Sequence, residues 1–246
     1  MDRMLYIAAD GASQIQKAQA VNANNLANVS TTGFKAQFDL LRSLPVYGPG
    51  FASRVHSQVE MSGVDPSAGA LMPTGRGLDI AVNGNGWIAV QSPEGGEAYT
   101  RAGDLRVSAT GILETGTGLA VLGDGGPISV PDAQEIEIGA DGTVSVLPTG
   151  QAATTLAVVG RIKLVNIDPS DMEKGEDGLL RQRGGGTSEP DASVRIASGV
   201  LESSNVSSVE AMTTMIQLAR QFEAQIKLMK VAEENDAASA KLMSIG

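Results

Sequence analysis

Neither end of this chain contains a proline. All ten prolines lie between Pro45 and Pro190, and twenty-eight of the thirty glycines lie between Gly33 and Gly199. The flanks, 1–32 and 201–246, keep only Gly11 and Gly246. Proline and glycine break helices, so the flanks are free to be helical and the middle is not. Cysteine is absent, which excludes disulfides, thiolate metal sites and a cysteine nucleophile. That absence also suits an oxidising compartment. Aromatic residues make up only 3% of the chain, so a core must rest on Val, Ile, Leu, Ala and Met. No run approaches the ~20 apolar residues of a membrane span, and no membrane insertion is expected. No basic stripe exists, so nucleic acid is not an expected partner. The apolar patch Met4–Ala9 is cut short by Asp10 and Gly11, so no cleavable signal peptide is read. The expectation is a cytoplasmic protein, or one that leaves by a route needing no cleaved signal.

What the flanks do contain is a heptad pattern. Met4, Ala8, Gly11, Ile15, Ala18, Asn22, Asn25 and Val29 follow alternating steps of four and three. Leu5, Ala12 and Leu26 widen this stripe. Its residues are mostly small, so a partner helix can approach closely. Asn22 and Asn25 occupy positions where a coiled coil favours apolar groups; a buried Asn costs stability but fixes register by demanding a hydrogen-bond partner. The second flank repeats the pattern with Met212, Met215, Ala219, Phe222, Ile226, Met229, Ala240 and Met243, while Glu233 and Asp236 fill the gaps. Ile216 and Leu218 broaden it. Ser203, Ser204 and Asn205 are candidate caps, with Glu210 in the first turn. Both seams are narrow, which suits helix-on-helix contact. These sixteen residues are the candidate assembly interface.

The formal charge of −10 is unevenly placed. Residues 76–200 carry seventeen acids and nine bases, whereas residues 1–75 are balanced at five of each. An acidic middle with near-neutral ends fits ends buried in an assembly and a middle facing water.

From Gly77 the period changes to two, broken by turns. Leu78–Val82, Trp87–Gln91, Ala98–Arg101, Leu105–Ser108, Ile112–Thr115 and Leu119–Leu122 read as short strands. Ile128–Val130, Glu135–Ile138, Thr143–Leu147, the long stretch Thr155–Ile167 and a last strand Val194–Ala197 continue the series. Asn83-Gly84, Asn85-Gly86 and Asp141-Gly142 are turn signals. The spacing predicts an all-β domain of sandwich or barrel type. Residues 35–77, with Pro45, Gly48, Pro49, Gly50, Pro66 and Pro73, read as an extended connector.

Catalytic chemistry is not indicated. His56 is the only histidine, and a lone one without a nearby ligand cluster reads as structural. Asp168, Asp171, Glu173, Glu176 and Asp177 lack the spacing of a calcium loop and read as a solvated loop. Gly184-Gly185-Gly186 lacks the following Lys and Ser/Thr of a phosphate loop. Asn28-Val29-Ser30 and Asn205-Val206-Ser207 match the glycosylation triplet, yet both lie where Asn and Ser cap helices.

One stretch is familiar in itself. Val21-Asn22-Ala23-Asn24-Asn25-Leu26-Ala27-Asn28-Val29-Ser30-Thr31-Thr32-Gly33-Phe34-Lys35 resembles the N-terminal signature of flagellar rod and hook axial proteins. Leu78-Asp79-Ile80-Ala81-Val82-Asn83-Gly84-Asn85-Gly86-Trp87, Tyr99-Thr100-Arg101-Ala102-Gly103-Asp104-Leu105 and Gly111-Ile112-Leu113 continue the match. Ser204-Asn205-Val206, Met215-Ile216, Arg220 and Phe222-Glu223 close it. Family members often carry an aromatic pair after Gly86, where this chain has Trp87-Ile88. The tail Ala219–Glu223, with Lys227–Lys230 and Ala232–Asp236, is most similar to proximal rod members, with distal rod proteins the nearest rivals.

The resemblance implies export through the flagellar type III apparatus and assembly in the periplasm into a hollow shaft that transmits torque. It implies terminal helices inside, β domains outside, and partners that are further copies and other rod proteins. The expected class is α+β, with paired terminal helices flanking a central all-β domain. The expected division is an N-terminal helix over 1–34, a connector over 35–77, a β domain over 78–199 and a C-terminal helix over 200–246. No enzyme activity, metal or cofactor is expected. The alternatives are a distal rod protein and a secreted β-rich enzyme acting on carbohydrate through Asp168, Asp171 and Glu173.

Overall fold

The computed structural model describes residues 2–45, 55–148, 156–175 and 177–243. Two long helices, α1 (Asp2–Ala27) and α2 (Ser208–Met243), frame a middle built of strands, an α+β arrangement. The strands in order are β1 (Gln37–Pro45), β2 (Val55–Val64), β3 (Leu71–Pro73), β4 (Ile80–Asn83), β5 (Trp87–Gln91) and β6 (Glu97–Thr100). Next come β7 (Leu105–Val107), β8 (Leu113–Thr115), β9 (Leu122–Gly123), β10 (Gly126–Pro127), β11 (Ala133–Ile138) and β12 (Thr143–Pro148). The series ends with β13 (Ala157–Arg161), β14 (Leu164–Val165), β15 (Met172–Lys174), β16 (Leu180–Gln182), β17 (Arg195–Ser198) and β18 (Val200–Glu202). The chain forms two compact units: residues 1–27, 37–62 and 207–246 in one, 28–36 and 63–206 in the other.

In the helical unit, α1 and α2 pack antiparallel. Asn22 lies against Ala211, near the start of α2, while Gly11 faces Gln225 further along. Helix α2 starts at Ser208, with Ser207 as its cap: the Glu210 amide donates to Ser207 Oγ at 3.4 Å and the Ala211 amide to the Ser207 carbonyl at 2.9 Å. The candidate caps Ser203, Ser204 and Asn205 lie upstream of the helix. At the other flank the heptad pattern outruns the helix. α1 stops at Ala27, so Val29 sits in a turn, where the Thr31 hydroxyl donates to Asn28 Oδ1 and the Thr31 amide to the Asn28 carbonyl. Strands β1 and β2 pair in a two-stranded sheet, so part of the proline-rich stretch read as a connector is paired strand.

In the β unit, the organising element is a five-stranded sheet of order β14-β5-β6-β16-β15. Its interior strand β5 is buried on both faces. Ile88 and Val90 enter one apolar cluster with Ile80, Leu105, Leu113 and Val121; Trp87 and Ala89 enter another with Tyr99, Val165, Met172 and Leu180. A strand buried on both sides needs a continuous apolar run, and Trp87–Val90 supplies it. Full burial of each Leu, Ile or Val contributes on the order of 1.5–3 kcal/mol before entropy is subtracted. The remaining strands form β11-β12-β13 and the pairs β17-β4, β18-β3, β7-β8 and β10-β9.

Several local expectations change here. Asn83-Gly84-Asn85-Gly86 turns the chain but joins no hairpin, because β4 pairs with β17 and β5 with β6 and β14. A side chain on Gly86 would meet Val194 at 2.6 Å, so the turn is pressed against another segment. Asp141-Gly142 does close a hairpin, between β11 and β12. Ile128–Val130 makes only an isolated bridge at Ser129. The stretch Thr155–Ile167 divides into β13 and β14, and Thr155 lies outside the described residues. Val194–Ala197 is not the last strand, since β18 follows it after Gly199, whose φ of 75° permits the bend.

Candidate assembly surface and a buried charged knot

The two helices spend one seam on each other. On α1, Ala8 and Ala12 are buried and Gly11, Ile15, Ala18, Asn22 and Asn25 are half-buried, while Met4 is exposed. On α2 the covered positions include Ala211, Met215, Leu218, Phe222, Gln225, Met229 and Ala232. These share Met215, Phe222 and Met229 with the heptad read from the sequence. Its other half is shifted by one residue, so Met212, Ala219, Ile226 and Ala240 are exposed. The Met243 side chain lies outside the described residues. A Cβ on Gly11 would lie 3.2 Å from the Gln225 side chain, so Gln225 packs over the bare backbone of Gly11 in this seam.

Both seam asparagines find partners. Asn22 Nδ2 donates to the Ala211 carbonyl at 2.8 Å. Asn25 clasps Gln37 twice: its Nδ2 donates to the Gln37 carbonyl at 2.8 Å and its Oδ1 accepts the Gln37 amide at 2.9 Å. Each bond fixes register, since a slip would leave a part-buried amide unpaired.

What the pair leaves uncovered is a second apolar stripe. Val209, Met212, Ile216, Ala219 and Ile226 follow heptad steps on α2, and all are exposed. On α1, Met4, Leu5, Tyr6 and Ile7 are exposed in a row. Of the sixteen large apolar side chains exposed among the described residues, twelve belong to the helical unit. The β unit, although longer, holds four.

The β unit contains a constellation that spacing did not reveal. Glu202, at the end of β18, is buried with Lys35 and Arg101. Its Oε1 accepts from Lys35 Nζ at 2.6 Å and from the Gly69 amide at 2.9 Å, and its Oε2 accepts from Arg101 at 3.1 Å. Lys35 also donates to the Ser67 carbonyl at 2.7 Å. Arg101 donates to the Gly84 carbonyl at 2.7 Å and stacks 5.1 Å above the Trp87 ring. Burial works against the Glu202 charge, but Lys35, the Gly69 amide and Arg101 outweigh it and hold its pKa low. Burial dominates at Lys35 and lowers its pKa despite Glu202. Removing one member of such a cluster leaves an uncompensated buried charge and costs about 3–5 kcal/mol.

Asn205 joins the same knot with both ends of its amide. Its Oδ1 accepts the Ala36 amide at 2.7 Å, and its Nδ2 donates to the Asp65 carbonyl at 3.1 Å and the Ser67 carbonyl at 3.2 Å. The glycosylation triplet beginning there is thus committed to the fold. Gly33 has φ +65°, and a Cβ on it would lie 2.2 Å from the Arg101 carbonyl. Its amide donates to the Glu202 carbonyl at 2.8 Å.

Lys174 covers the far side of the same segment. Its Nζ sits 3.7 Å above the Phe34 ring and donates to the Lys35 carbonyl at 3.1 Å. Burial lowers its pKa from 10.5 to about 8. Between those values the unfolded chain binds more protons than the folded one, so this lysine makes stability rise with pH. Below about pH 8 the full cost of burying the ammonium is present. Comparing wild type with Lys174→Met isolates this lysine. Their difference in unfolding free energy is expected to move in favour of wild type by on the order of 1–2 kcal/mol between about pH 7 and about pH 10. Parallel denaturation profiles at the two pH values would contradict it.

The acidic stretch is more ordered than a solvated loop. Asp168 caps the turn Pro169–Asp171, accepting from the Ser170 amide at 2.9 Å and hydroxyl at 2.7 Å. Asp177 pairs with Arg181, and Glu176 lies outside the described residues, as does the His56 side chain. The Ser170 bonds lower the Asp168 pKa, the opposite of what a general acid requires. Among the described residues no three metal-ligating side chains converge, and no helix is long and apolar enough to cross a membrane.

The chain is 45% identical to the flagellar basal-body rod protein FlgF of Salmonella typhimurium over 251 residues, covering all of both chains. It belongs to the flagellar basal-body rod proteins. FlgF of Escherichia coli is 43% identical, again over the whole of both chains. The rod protein FlgG of Bacillus subtilis is 32% identical, with 95% of this chain and 96% of the relative covered. Three family models match in order: flagella basal body rod protein over residues 5–35, flagellar hook protein FlgE/F/G D1 domain over 81–146, and flagellar basal body rod FlgEFG protein C-terminal over 197–242. For this rod-family chain, the first model ends at Lys35, the second contains Arg101 and the third contains Glu202. The knot therefore joins one residue from each matched region.

Proposed function

We propose that the chain is a structural subunit of the flagellar basal-body rod, not an enzyme, and that it assembles through its helical unit into a hollow shaft with further copies and other rod proteins. The uncovered stripe Val209–Met212–Ile216–Ala219–Ile226 carries this reading. An apolar seam beside a used seam is what a helix pair needs to bury itself against neighbours, and burying it drives association. The heptad residues of α2 divide between two jobs: Met215, Phe222 and Met229 hold the pair together, while Met212, Ala219, Ile226 and Ala240 face outward. The greater similarity to FlgF than to FlgG supports a proximal place in the rod over a distal one. Passage through the flagellar export apparatus and residence in the periplasm follow from the same family reading. Membership of the rod family speaks against the carbohydrate-acting alternative.

Deletion of residues 2–27 tests the proposal. The β unit draws none of its residues from that segment, so it is expected to remain folded, with cooperative unfolding intact. Cells carrying only the deletion variant are expected to be non-motile and to lack it in purified basal bodies. Normal incorporation of the shortened chain would overturn the assembly role of the helices.

A further inference from the structure

We propose that segments 28–36, 63–70 and 200–206 form one polar latch that opens as a piece while the apolar core of the β unit stays folded. The first observation is what the latch lacks. Neither 28–36 nor 200–206 contributes a residue to either apolar cluster, and 63–70 contributes Val64 alone. The segments are held instead by the Glu202 cluster, the Asn205 amide and Lys174. Backbone bonds add to this: Asp65 amide to Ala36 carbonyl at 2.8 Å, Asn205 amide to Phe34 carbonyl at 3.3 Å and Ser203 amide to Ala70 carbonyl at 2.9 Å. Regions that bury little apolar surface open locally with less free energy than global unfolding requires, and their opening responds weakly to denaturant.

The second observation is position in the chain. The chain passes between the two units at four points, after residues 27, 36, 62 and 206, and every one leaves from a latch segment. Opening the latch frees all four strands of the tether at once and leaves Ile80, Val90 and Leu113 in their core. The third observation is that closure is shape-specific. A Cβ on Gly69 would lie 1.9 Å from the Ser203 carbonyl, and one on Gly33 would lie 2.2 Å from that of Arg101. Such contacts admit one register only, so the latch recloses in the same arrangement. This gives the β unit a reversible joint at the root of the helical segments, and it stands whether or not those helices assemble as proposed above.

Hydrogen exchange on the full-length chain at several low urea concentrations tests the latch. The amides of Gly33, Ala36, Gly69 and Asn205 are expected to exchange at least about tenfold faster than those of Ile80, Leu113 and Val121, with little urea dependence. Val90→Ala, which trims a fully buried side chain of the core, is expected to speed the core amides by about tenfold or more and leave the latch amides unchanged, because the open latch keeps the core packed. Equal rates and equal urea dependence in wild type would show a single cooperative unit and overturn the proposal. So would a Val90→Ala protein in which core and latch amides accelerate together. Should that variant fail to fold, the wild-type comparison alone still decides.

Discussion

Replacing Gly103 by alanine is expected to destabilise the β unit severely. The methyl group would stand 1.7 Å from the Ile80 carbonyl oxygen and 2.7 Å from its carbon. Both are backbone atoms, so no rotamer change relieves the overlap. Ile80 is fully buried in the larger apolar cluster, and its amide donates to the Gly103 carbonyl at 2.9 Å. Moving either chain would break that bond and open the core at the start of β4. The loss is expected to exceed about 4 kcal/mol, at the upper end for single substitutions, and to lower Tm by roughly 8–16 °C or more. Gly96→Ala is the control. Nothing lies within 4 Å of its added carbon, so its effect is expected to stay within about 0.5 kcal/mol. Thermal unfolding of the two purified variants decides the matter, and equal stability would contradict the packing described for Gly103.

Met212→Glu combined with Ile216→Glu is expected to abolish motility without unfolding the protein. Both side chains are exposed, at 54% and 56%, on the outward stripe of α2. Two carboxylates there meet water in the free chain, so helicity and unfolding free energy are expected to change by no more than about 0.5–1 kcal/mol. Buried against a neighbouring helix, the same carboxylates have no partner and cost several kcal/mol. The expected result is a soluble, folded protein absent from purified basal bodies. Phe222→Glu provides the contrast. Phe222 is half-buried in the seam between α1 and α2, so its replacement is expected to destabilise the helical unit itself. If the outward double variant lost helicity while Phe222→Glu did not, the assignment of the two seams would be reversed.

The parts of this architecture that follow local periodicity were readable from the sequence. Proline-free ends with heptad spacing gave two helices, and Trp87–Gln91 read as a short strand. Asp141-Gly142 gave a hairpin because its turn chemistry is local. Register across distance was not readable. Half of the α2 seam lies one residue from its heptad, where Gln225 packs over Gly11, a fact about two helices rather than one. Asn83-Gly84 has hairpin chemistry, yet β4 pairs with β17, more than a hundred residues away. Nor was the knot visible. Lys35, Arg101 and Glu202 are separated by 66 residues or more, and a charged residue in a short strand reads as solvated until its partners are placed. The resemblance marked the stretches holding Lys35 and Arg101, but not Glu202.

Because the chain contains no cysteine, a single introduced thiol reports on one position without background. The direct measurement is maleimide labelling of Ile216→Cys and of Thr110→Cys, each in the free protein and in isolated basal bodies. Thr110 is exposed in a turn of the β unit. Ile216→Cys is expected to label readily in the free chain and to be protected in the basal body, while Thr110→Cys labels in both. Unchanged labelling of Ile216→Cys after incorporation would contradict the claim that the outward stripe of α2 is the surface buried by assembly.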